Sequence, residues 1–399
     1  MAVATGRAPV EVGERVVFPA EAIDELIQAL RVAGYQVAGP TVRDQAIVLA
    51  EITSADELPW GWGVTLAGGT YRLRRRADRA AFSHSAGPQA WKPFLHPARV
   101  PLWSADRDGA IEPAGDGQDG AGPPRYAFLG VRPCDLRAIE IQDRVLMGGR
   151  YADSTYAGRR SRAFIVVVNC VEPGETCFCV SMGTGPGADR GYDIALTEIV
   201  GDGEGEGEGE GVGDGRGARG GHRFVAEAGS AGGAEILAQV AYASADEPSI
   251  EAARAGVAAA AGRMGRAMDT DGLPEMLAAT REAARWDEVA DRCLTCGNCT
   301  MVCPTCFCTG VEDVTDLTGD HAERWRTWAS CFDIDFSYVH GGSVRTSAKS
   351  RYRQWLTHKL GTWHDQFGSS GCVGCGRCIV WCPVGIDLTE EVAALREEL

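Results

Sequence analysis

The cysteines in the C-terminal part of the chain repeat one pattern that is suited to binding iron. Each copy has the spacing C-x2-C-x2-C-x3-C followed by proline, and the two copies are Cys293, Cys296, Cys299, Cys303 and Cys372, Cys375, Cys378, Cys382. Bacterial ferredoxins use this spacing to ligate [4Fe–4S] clusters, and the fourth cysteine often serves the other cluster. The pattern therefore predicts two [4Fe–4S] clusters. We expect Cys382 to complete the cluster of the first motif and Cys303 that of the second.

Zinc and disulfide bonds are the alternative fates of these cysteines. A zinc ribbon uses pairs of C-x2-C, with four ligands to one ion. The third cysteine three residues further on, and the proline after the fourth, favour a cluster, and both copies agree. Disulfides are disfavoured because the N-terminus lacks the apolar core of a signal peptide, so we expect a reducing, cytoplasmic environment.

A second candidate site lies upstream and consists of four cysteines, Cys134, Cys170, Cys177 and Cys179. Cys134 follows an apolar run at 126–131, and Cys170 follows a β-branched run at 163–169 that is typical of a buried parallel strand. Sites in open α/β sheets form beyond the carboxyl ends of the strands. The four cysteines are therefore candidates for a third [4Fe–4S] cluster. A structural zinc ion and buried thiols without a ligand remain the alternatives.

The elements that must position these cysteines fall into three predicted regions. Residues 1–125 have a mixed α/β pattern, in which a helical period at 20–37 stops near Gly34. Residues 126–248 have an α/β pattern that contains the second candidate site. Residues 249–399 are predicted to form an α-helical ferredoxin domain with two [4Fe–4S] clusters.

The spacer between the two motifs is expected to be helical, with a basic helix over 347–360 that includes Lys359. Its aromatic side chains are predicted to form core around the clusters, and they are Trp325, Trp328, Phe332 and Phe336. The spacer also contains Cys306, Cys308 and Cys331, which the two motifs leave unassigned.

One segment is predicted to lie outside any core. Residues 201–221 are glycine alternating with glutamate, and then with aspartate and arginine. This composition cannot bury enough apolar surface to fold, so it predicts a disordered insertion. Strand-like sequence on both sides indicates that it interrupts a hairpin or a loop.

The totals exclude several classes of protein. The chain has 399 residues and a net charge of −16, which argues against nucleic acid as a partner. No run of eighteen apolar residues is present, so no membrane-spanning helix is expected. We also find no dinucleotide-binding fingerprint opening a helix.

Four segments together resemble a known family. They are residues 129–140, which include the run GVRPCDLRAIE, and residues 170–186, 292–308 and 372–387. They are similar to the β subunit of soluble sulfhydrogenase-type [NiFe] hydrogenases and to the related iron–sulfur subunit of anaerobic sulfite reductase. The resemblance extends from about residue 126 to the C-terminus, whereas the Gly/Glu tract departs from the family pattern.

The resemblance implies an iron–sulfur electron carrier without an active site of its own. In that family the β subunit lies between a subunit that binds FAD and NAD(P)H and a catalytic partner. The partner is the hydrogenase small subunit or the sulfite reductase catalytic subunit. A self-sufficient iron–sulfur oxidoreductase is the alternative, and it would need a cofactor site in the N-terminal region. A scaffold that clusters merely stabilise is a third interpretation, but two adjacent clusters exceed what a scaffold needs.

Overall fold

The computed structural model describes residues 9–113, 122–201 and 221–399, so the insertion predicted at 201–221 lies almost entirely outside the described residues. The strands are β1 (Arg15–Pro19), β2 (Gln36–Arg43), β3 (Ala46–Glu51), β4 (Trp62–Ala67), β5 (Thr70–Arg75), β6 (Arg99–Asp106), β7 (Glu112–Pro113), β8 (Tyr126–Val131), β9 (Phe164–Val168), β10 (Ile194–Ile199), β11 (Arg223–Ala228), β12 (Ala243–Ser244), β13 (Thr309–Thr315), β14 (His321–Trp328), β15 (Tyr338–Val339) and β16 (Gly342–Ser343).

The helices complete the described chain. They are α1 (Ile23–Val32), α2 (Lys92–Leu95), α3 (Pro133–Met147), α4 (Ser154–Arg160), α5 (Ala231–Leu237), α6 (Glu247–Ala261), α7 (Leu273–Ala279), α8 (Arg285–Arg292), α9 (Asn298–Met301), α10 (Ala348–Thr357), α11 (Trp363–Phe367), α12 (Arg377–Val380) and α13 (Leu388–Glu397). No helix in the described part of the chain is long and apolar enough to cross a membrane.

One eight-stranded sheet contains strands from both N-terminal regions. Its strand order is β12-β1-β11-β10-β9-β8-β2-β3. The centre is parallel, because β8 pairs in parallel with β2 and β9, and β9 pairs in parallel with β10. β9 is buried along its whole length, as its β-branched sequence predicts for a strand covered on both faces. The parallel centre thereby places the ends of β8 and β9 side by side.

Helix α1 covers one face of this sheet and explains the helical period in the sequence. Its buried side chains include Ile23, Leu26, Ile27 and Leu30. Each fully buried side chain of this size contributes roughly 1.5–3 kcal/mol relative to exposure. The helix ends at Val32, and Gly34 follows with φ +86°, a left-handed conformation that favours glycine. The predicted stop is confirmed, although the predicted period extended into β2.

The spacer between the two cysteine motifs differs from the helical spacer that the sequence predicts. It contains the hairpin of β13 and β14, and β14 also pairs with β6 from the N-terminal part of the chain. Trp325 and Trp328 lie half-buried on β14, and Phe336 is exposed, whereas only Phe332 of the predicted aromatic core residues is fully buried. The predicted helix over 347–360 does form, as α10 followed by a π-helical turn.

Candidate iron–sulfur sites

The first group of cysteines combines residues from both motifs. Cys293 follows α8, and Cys296 and Cys299 lie on the loop and short helix α9 that come next. These three cysteines line one cavity together with Cys378 and Cys382 from the second motif. Cys296 is exposed, and the other four are partly buried. The arrangement brings together the four cysteines that the crossed assignment groups (hereafter the first group).

Burial makes the thiols of Cys293 and Cys299 poor anions unless something compensates their charge. Burial raises the pKa of Cys293 and, further, that of Cys299, and neighbouring thiolates including Cys382 add to the rise. Iron needs the thiolate form, so a bound cluster would supply the missing positive charge. Buried thiols packed together are thus suited to metal rather than to free thiolates.

Hydrogen-bond donors surround the same sulfur atoms. The Thr295 amide donates to Cys293 Sγ at 3.4 Å, and the Ile386 amide donates to Cys382 Sγ at 3.3 Å. The buried hydroxyl of Tyr352, which also lines the cavity, has no hydrogen-bond partner among the described residues. Donors of this kind stabilise cluster sulfur and help to set its potential. The residues present therefore fit a [4Fe–4S] cluster.

The second group consists of the remaining motif cysteines, Cys303, Cys372, Cys375 and Cys378. Burial raises the pKa of Cys372 to about 12 and that of Cys375 and Cys378, and Cys303 is a neighbouring thiol that adds to each rise. The Gly374 amide donates to Cys372 Sγ at 3.4 Å, as Thr295 does in the first motif. These four thiols therefore lie together and repeat the local geometry of the first group.

Cys303 differs from the other three cysteines of this group, because its pKa is lowered and theirs are raised. Its Sγ accepts a hydrogen bond from the Lys359 ammonium at 3.2 Å. The hydrogen bond with Cys306 is the largest cause that lowers the pKa of Cys303, and Lys359 adds to it against the opposing effect of burial. Both contacts favour the thiolate of Cys303, the form that binds iron.

The two motif loops fold alike because both turn through left-handed backbone. Gly297 and Gly376 have φ +75° and +71°, and Thr295 and Gly374 have φ +51° and +65°. Each loop then begins a short helix, α9 or α12. Glycine after the second cysteine thus allows the tight turn that directs three sulfurs to one side.

The third group occupies the carboxyl edge of the parallel strands, where the sequence predicts it. Cys134 begins α3 immediately after β8, and Cys170 follows β9, the next strand in the sheet. Burial is the largest cause that raises the pKa of Cys177 to about 11, and the neighbouring Cys170 is the second. Burial also raises the pKa of Cys179, and Cys170 and Cys177 add to that rise. Cys179 links the four thiols, because Cys170 and Cys177 raise its pKa and it raises that of Cys134. Burial is the main cause of the raised pKa values of Cys134 and Cys170 as well.

Buried polar groups enclose the third group. Arg377 forms a bidentate ion pair with Asp135 at 2.6 and 2.9 Å, and both residues are buried. Arg132, also buried, and Arg377 both lower the pKa of Cys170 against the larger effect of burial. Arg377 Nε and the hydroxyl of Thr176 have no hydrogen-bond partner among the described residues. Cationic and donor groups beside four thiols fit an anionic cluster.

The second and third groups adjoin each other at Gly374. A Cβ on this glycine would lie 2.6 Å from the backbone of Phe178 and Cys179. The Phe178 amide also donates to the Gly374 carbonyl at 2.8 Å. The loop between Cys372 and Cys375 is therefore packed directly on the loop that contains two cysteines of the third group.

We expect Gly374→Ala to remove much of the iron of both groups. Gly368 provides a matched control, because it has φ +69° and a Cβ there would meet nothing within 4 Å. Both substitutions cost about 1–2 kcal/mol for left-handed backbone, but only that at 374 forces two backbone segments apart. Iron per chain, measured after anaerobic purification, should fall for Gly374→Ala and stay unchanged for Gly368→Ala. Equal iron in both variants would contradict this packing.

Several residues that belong to these sites carry no signal in the sequence. Lys359 is predicted only as part of a basic helix, yet it is buried against Cys303. Tyr352 and Arg377 have no predicted role, because a lone tyrosine or arginine has no diagnostic spacing. The three unassigned cysteines, Cys306, Cys308 and Cys331, line a cavity of their own.

Comparison with known proteins first defines the class. A family model of the 4Fe-4S dicluster domain matches residues 292–386, the segment that contains both cysteine motifs. The chain is thus an iron–sulfur protein with a 4Fe-4S dicluster domain in its C-terminal part and an α/β region before it.

A curated relative then gives the family. Over 307 residues the chain is 32% identical to sulfhydrogenase 2 subunit beta of Pyrococcus furiosus, and the aligned part covers 77% of this chain and 82% of the relative. The chain belongs to the sulfhydrogenase β-subunit family, which confirms the resemblance inferred from the four segments. No solved structure matches the chain.

Proposed function

We propose that this chain relays electrons between a subunit that binds flavin and NAD(P)H and a [NiFe] hydrogenase module. The observation that supports this proposal is the contiguous arrangement of the three cysteine groups. The first group reaches the surface at Cys296. Cys378 of the second group lines the cavity of the first, and the second group adjoins the third at Gly374. Three adjoining redox sites that begin at the surface are suited to conducting electrons through the chain.

The cofactors follow from the grouping. The C-terminal region would be a helical ferredoxin domain with two [4Fe–4S] clusters, one in the first group and one in the second. The third group would hold another. Each cluster supplies one-electron transfer at a potential set by hydrogen bonds and exposure. The residues of this chain donate hydrogen bonds to the sulfurs, from Thr295, Gly374 and Lys359.

The proposed partners follow from the membership of this chain in the sulfhydrogenase β-subunit family. The relative's name, which is that of a sulfhydrogenase, favours a hydrogenase small subunit over a sulfite reductase catalytic subunit as the electron acceptor. FAD would then be bound by the partner that receives hydride from NAD(P)H. No nucleic-acid or membrane partner is proposed, and the chain would act in the cytoplasm without a catalytic site of its own.

A reconstituted complex tests the relay. The hydrogenase module and the flavin subunit, mixed with NADPH or NADH, should evolve hydrogen only when this chain is added. The Cys382→Ser chain, in which the first group loses a ligand, should not restore hydrogen evolution. Hydrogen evolution at an equal rate without the chain, or with the variant, would exclude it from the electron path.

We predict that the third group holds about four irons, the content of one cubane. Together with the first and second groups it would bring the chain to about twelve. Cys177→Ser should lower the iron per chain by about four while the spectra of the first and second clusters persist, because Cys177 belongs only to the third group. Iron that is unchanged in this variant would remove the third cluster from the proposal.

A further inference from the structure

A separate cavity contains the cysteines that the relay does not use. Cys306, Cys308 and Cys331 line it. The hairpin of β13 and β14 brings their segments together, because Thr309 pairs with Trp328 and the Ala329 amide donates to the Cys308 carbonyl at 2.9 Å. Cysteines on either side of this hairpin therefore meet at its base.

Two buried lysines face the cysteines of this cavity. Lys359 Nζ lies 3.7 Å from Cys306 Sγ, and Lys92 Nζ donates to the Cys306 carbonyl at 3.2 Å. Lys92 is 7% exposed and Lys359 is 3% exposed. Among the described residues, the hydrogen bonds of the two ammonium groups go to carbonyl, hydroxyl and sulfur atoms. Buried ammonium groups require a nearby anion. For Lys359 the nearest sulfur is Cys303 Sγ of the second group at 3.2 Å, and Cys306 Sγ comes next.

Unpaired donors line the same cavity. Trp355 and Trp363 are buried, and the indole N–H of each has no hydrogen-bond partner in the described part of the chain. Buried indole donors normally find an acceptor. Cluster sulfide would provide one, in the way that donors around cluster sulfur are used elsewhere.

The cysteine spacing also repeats that of the third group. Thr176-Cys177-Phe178-Cys179 and Thr305-Cys306-Phe307-Cys308 have the same four residue types in the same order. Both threonines are fully buried. The first segment contacts the second motif through the Phe178 amide and the Gly374 carbonyl, and the second contacts it through the Thr305 hydroxyl and the Gly371 carbonyl at 2.6 Å. Two like segments therefore pack against the same motif loop.

A histidine lines the same cavity as the three cysteines. His358 lines the cavity, and its Nε2 lies 3.0 Å from Gln366 Oε1, which can only accept. This contact occupies Nε2 and leaves Nδ1 as the ring nitrogen that could bind metal. Histidine ligands are usually oriented by such a hydrogen bond from the other ring nitrogen.

We propose that Cys306, Cys308, Cys331 and His358 hold an additional iron–sulfur cluster. A single zinc ion is disfavoured, because no three His, Cys, Asp or Glu side chains within 9–113, 122–201 and 221–399 lie where one ion could bind them together. Ligands of a cluster bind different irons and stand further apart. The inference goes beyond the relay, which requires none of these four residues. Cys303, next to Cys306, would connect the additional cluster with the second group.

Metal analysis of the full chain tests this site. After anaerobic purification, Cys308→Ala should lower iron by about four per chain, the content of one cubane. Thr309→Ala, an exposed neighbour, should lower none. Combining Cys308→Ala with Cys177→Ala should remove about eight irons, so that loss of the third cluster and loss of this one are counted separately. Loss of zinc instead of iron, or no loss of metal, would overturn the proposal.

Spectroscopy keeps the test valid if Cys308→Ala folds poorly. Pulsed paramagnetic resonance of the reduced wild-type chain should show a nitrogen strongly coupled to one cluster. His358→Ala should lose this coupling, and Cys177→Ala should retain it. A wild-type chain without such coupling, or a coupling that persists in His358→Ala, would exclude His358 as a ligand.

Discussion

Replacing Cys382 with serine should damage the cluster of the first motif, although Cys382 belongs to the second. Cys382 lines the same cavity as Cys293, Cys296 and Cys299. Its Sγ also accepts the amide of Ile386 at 3.3 Å, which fixes the side chain in this position. Serine is a poorer iron ligand than thiolate, so we expect loss of about four irons or a strongly altered signal from that cluster alone.

Two reference variants allow this signal to be assigned to one cluster by direct comparison of spectra. Cys296→Ser removes a ligand assigned to the first group, and Cys372→Ser removes one assigned to the second, whose neighbouring thiols are Cys375 and Cys303. The paramagnetic spectrum of reduced Cys382→Ser should match that of Cys296→Ser. In the converse experiment, Cys303→Ser should match Cys372→Ser. Spectra that match the other way round would show that each motif holds its own cluster.

Much of the site was predictable because its residues are close in sequence. The spacing within each motif fixes three cysteines on one tight loop, whichever fold surrounds it. The prediction of the third group depends on the strands as well, because apolar and β-branched runs indicate buried strands and Cys134 and Cys170 follow two of them. β8 and β9 pair in parallel, which confirms the strand arrangement that this prediction requires.

The position of the β13–β14 hairpin and the burial of the two lysines depend on contacts between distant segments, for which a single sequence gives no signal. The hairpin of β13 and β14 contains few apolar residues, and it is held by pairing with β6, some 200 residues upstream. This pairing decides where Cys308 and Cys331 meet. Lysine is usually exposed in proteins, yet the fold buries both Lys92 and Lys359 near cysteines. Residues of this kind are recognised only when the charges around them are known.

The position of the exposed group suggests where electrons enter or leave. Cys296 is exposed, and Leu294 and Val384, which line the same cavity, are 61% and 39% exposed. A partner that covers this apolar edge would approach the first group closely, whereas no cysteine of the second or third group is exposed. A one-electron relay between proteins is favoured when one cluster of the series is accessible in this way.

The chain alone should accept electrons from a strong chemical reductant but not from NADH or NADPH. A hydride donor delivers two electrons together, whereas each [4Fe–4S] centre passes one, so a flavin must separate the pair. Two cavities of the described chain are lined by cysteines, the sequence has no dinucleotide-binding fingerprint, and we place the flavin on a partner. Dithionite should therefore bleach the visible absorption of the clusters at once. NAD(P)H should bleach it only after the flavin subunit is added, and the rate should rise with the amount of that subunit.

Two controls separate this prediction from a trivial failure to react. Free FAD added without the flavin subunit tests whether loosely bound flavin is enough, and the Cys382→Ser chain tests whether reduction passes through the first cluster. With the flavin subunit present, the variant should bleach more slowly than the wild type, because its exposed cluster lacks a ligand. Rapid reduction of the pure chain by NAD(P)H would contradict the relay. It would require a nucleotide and flavin site within this chain, and the self-sufficient oxidoreductase would then be the better description of its function.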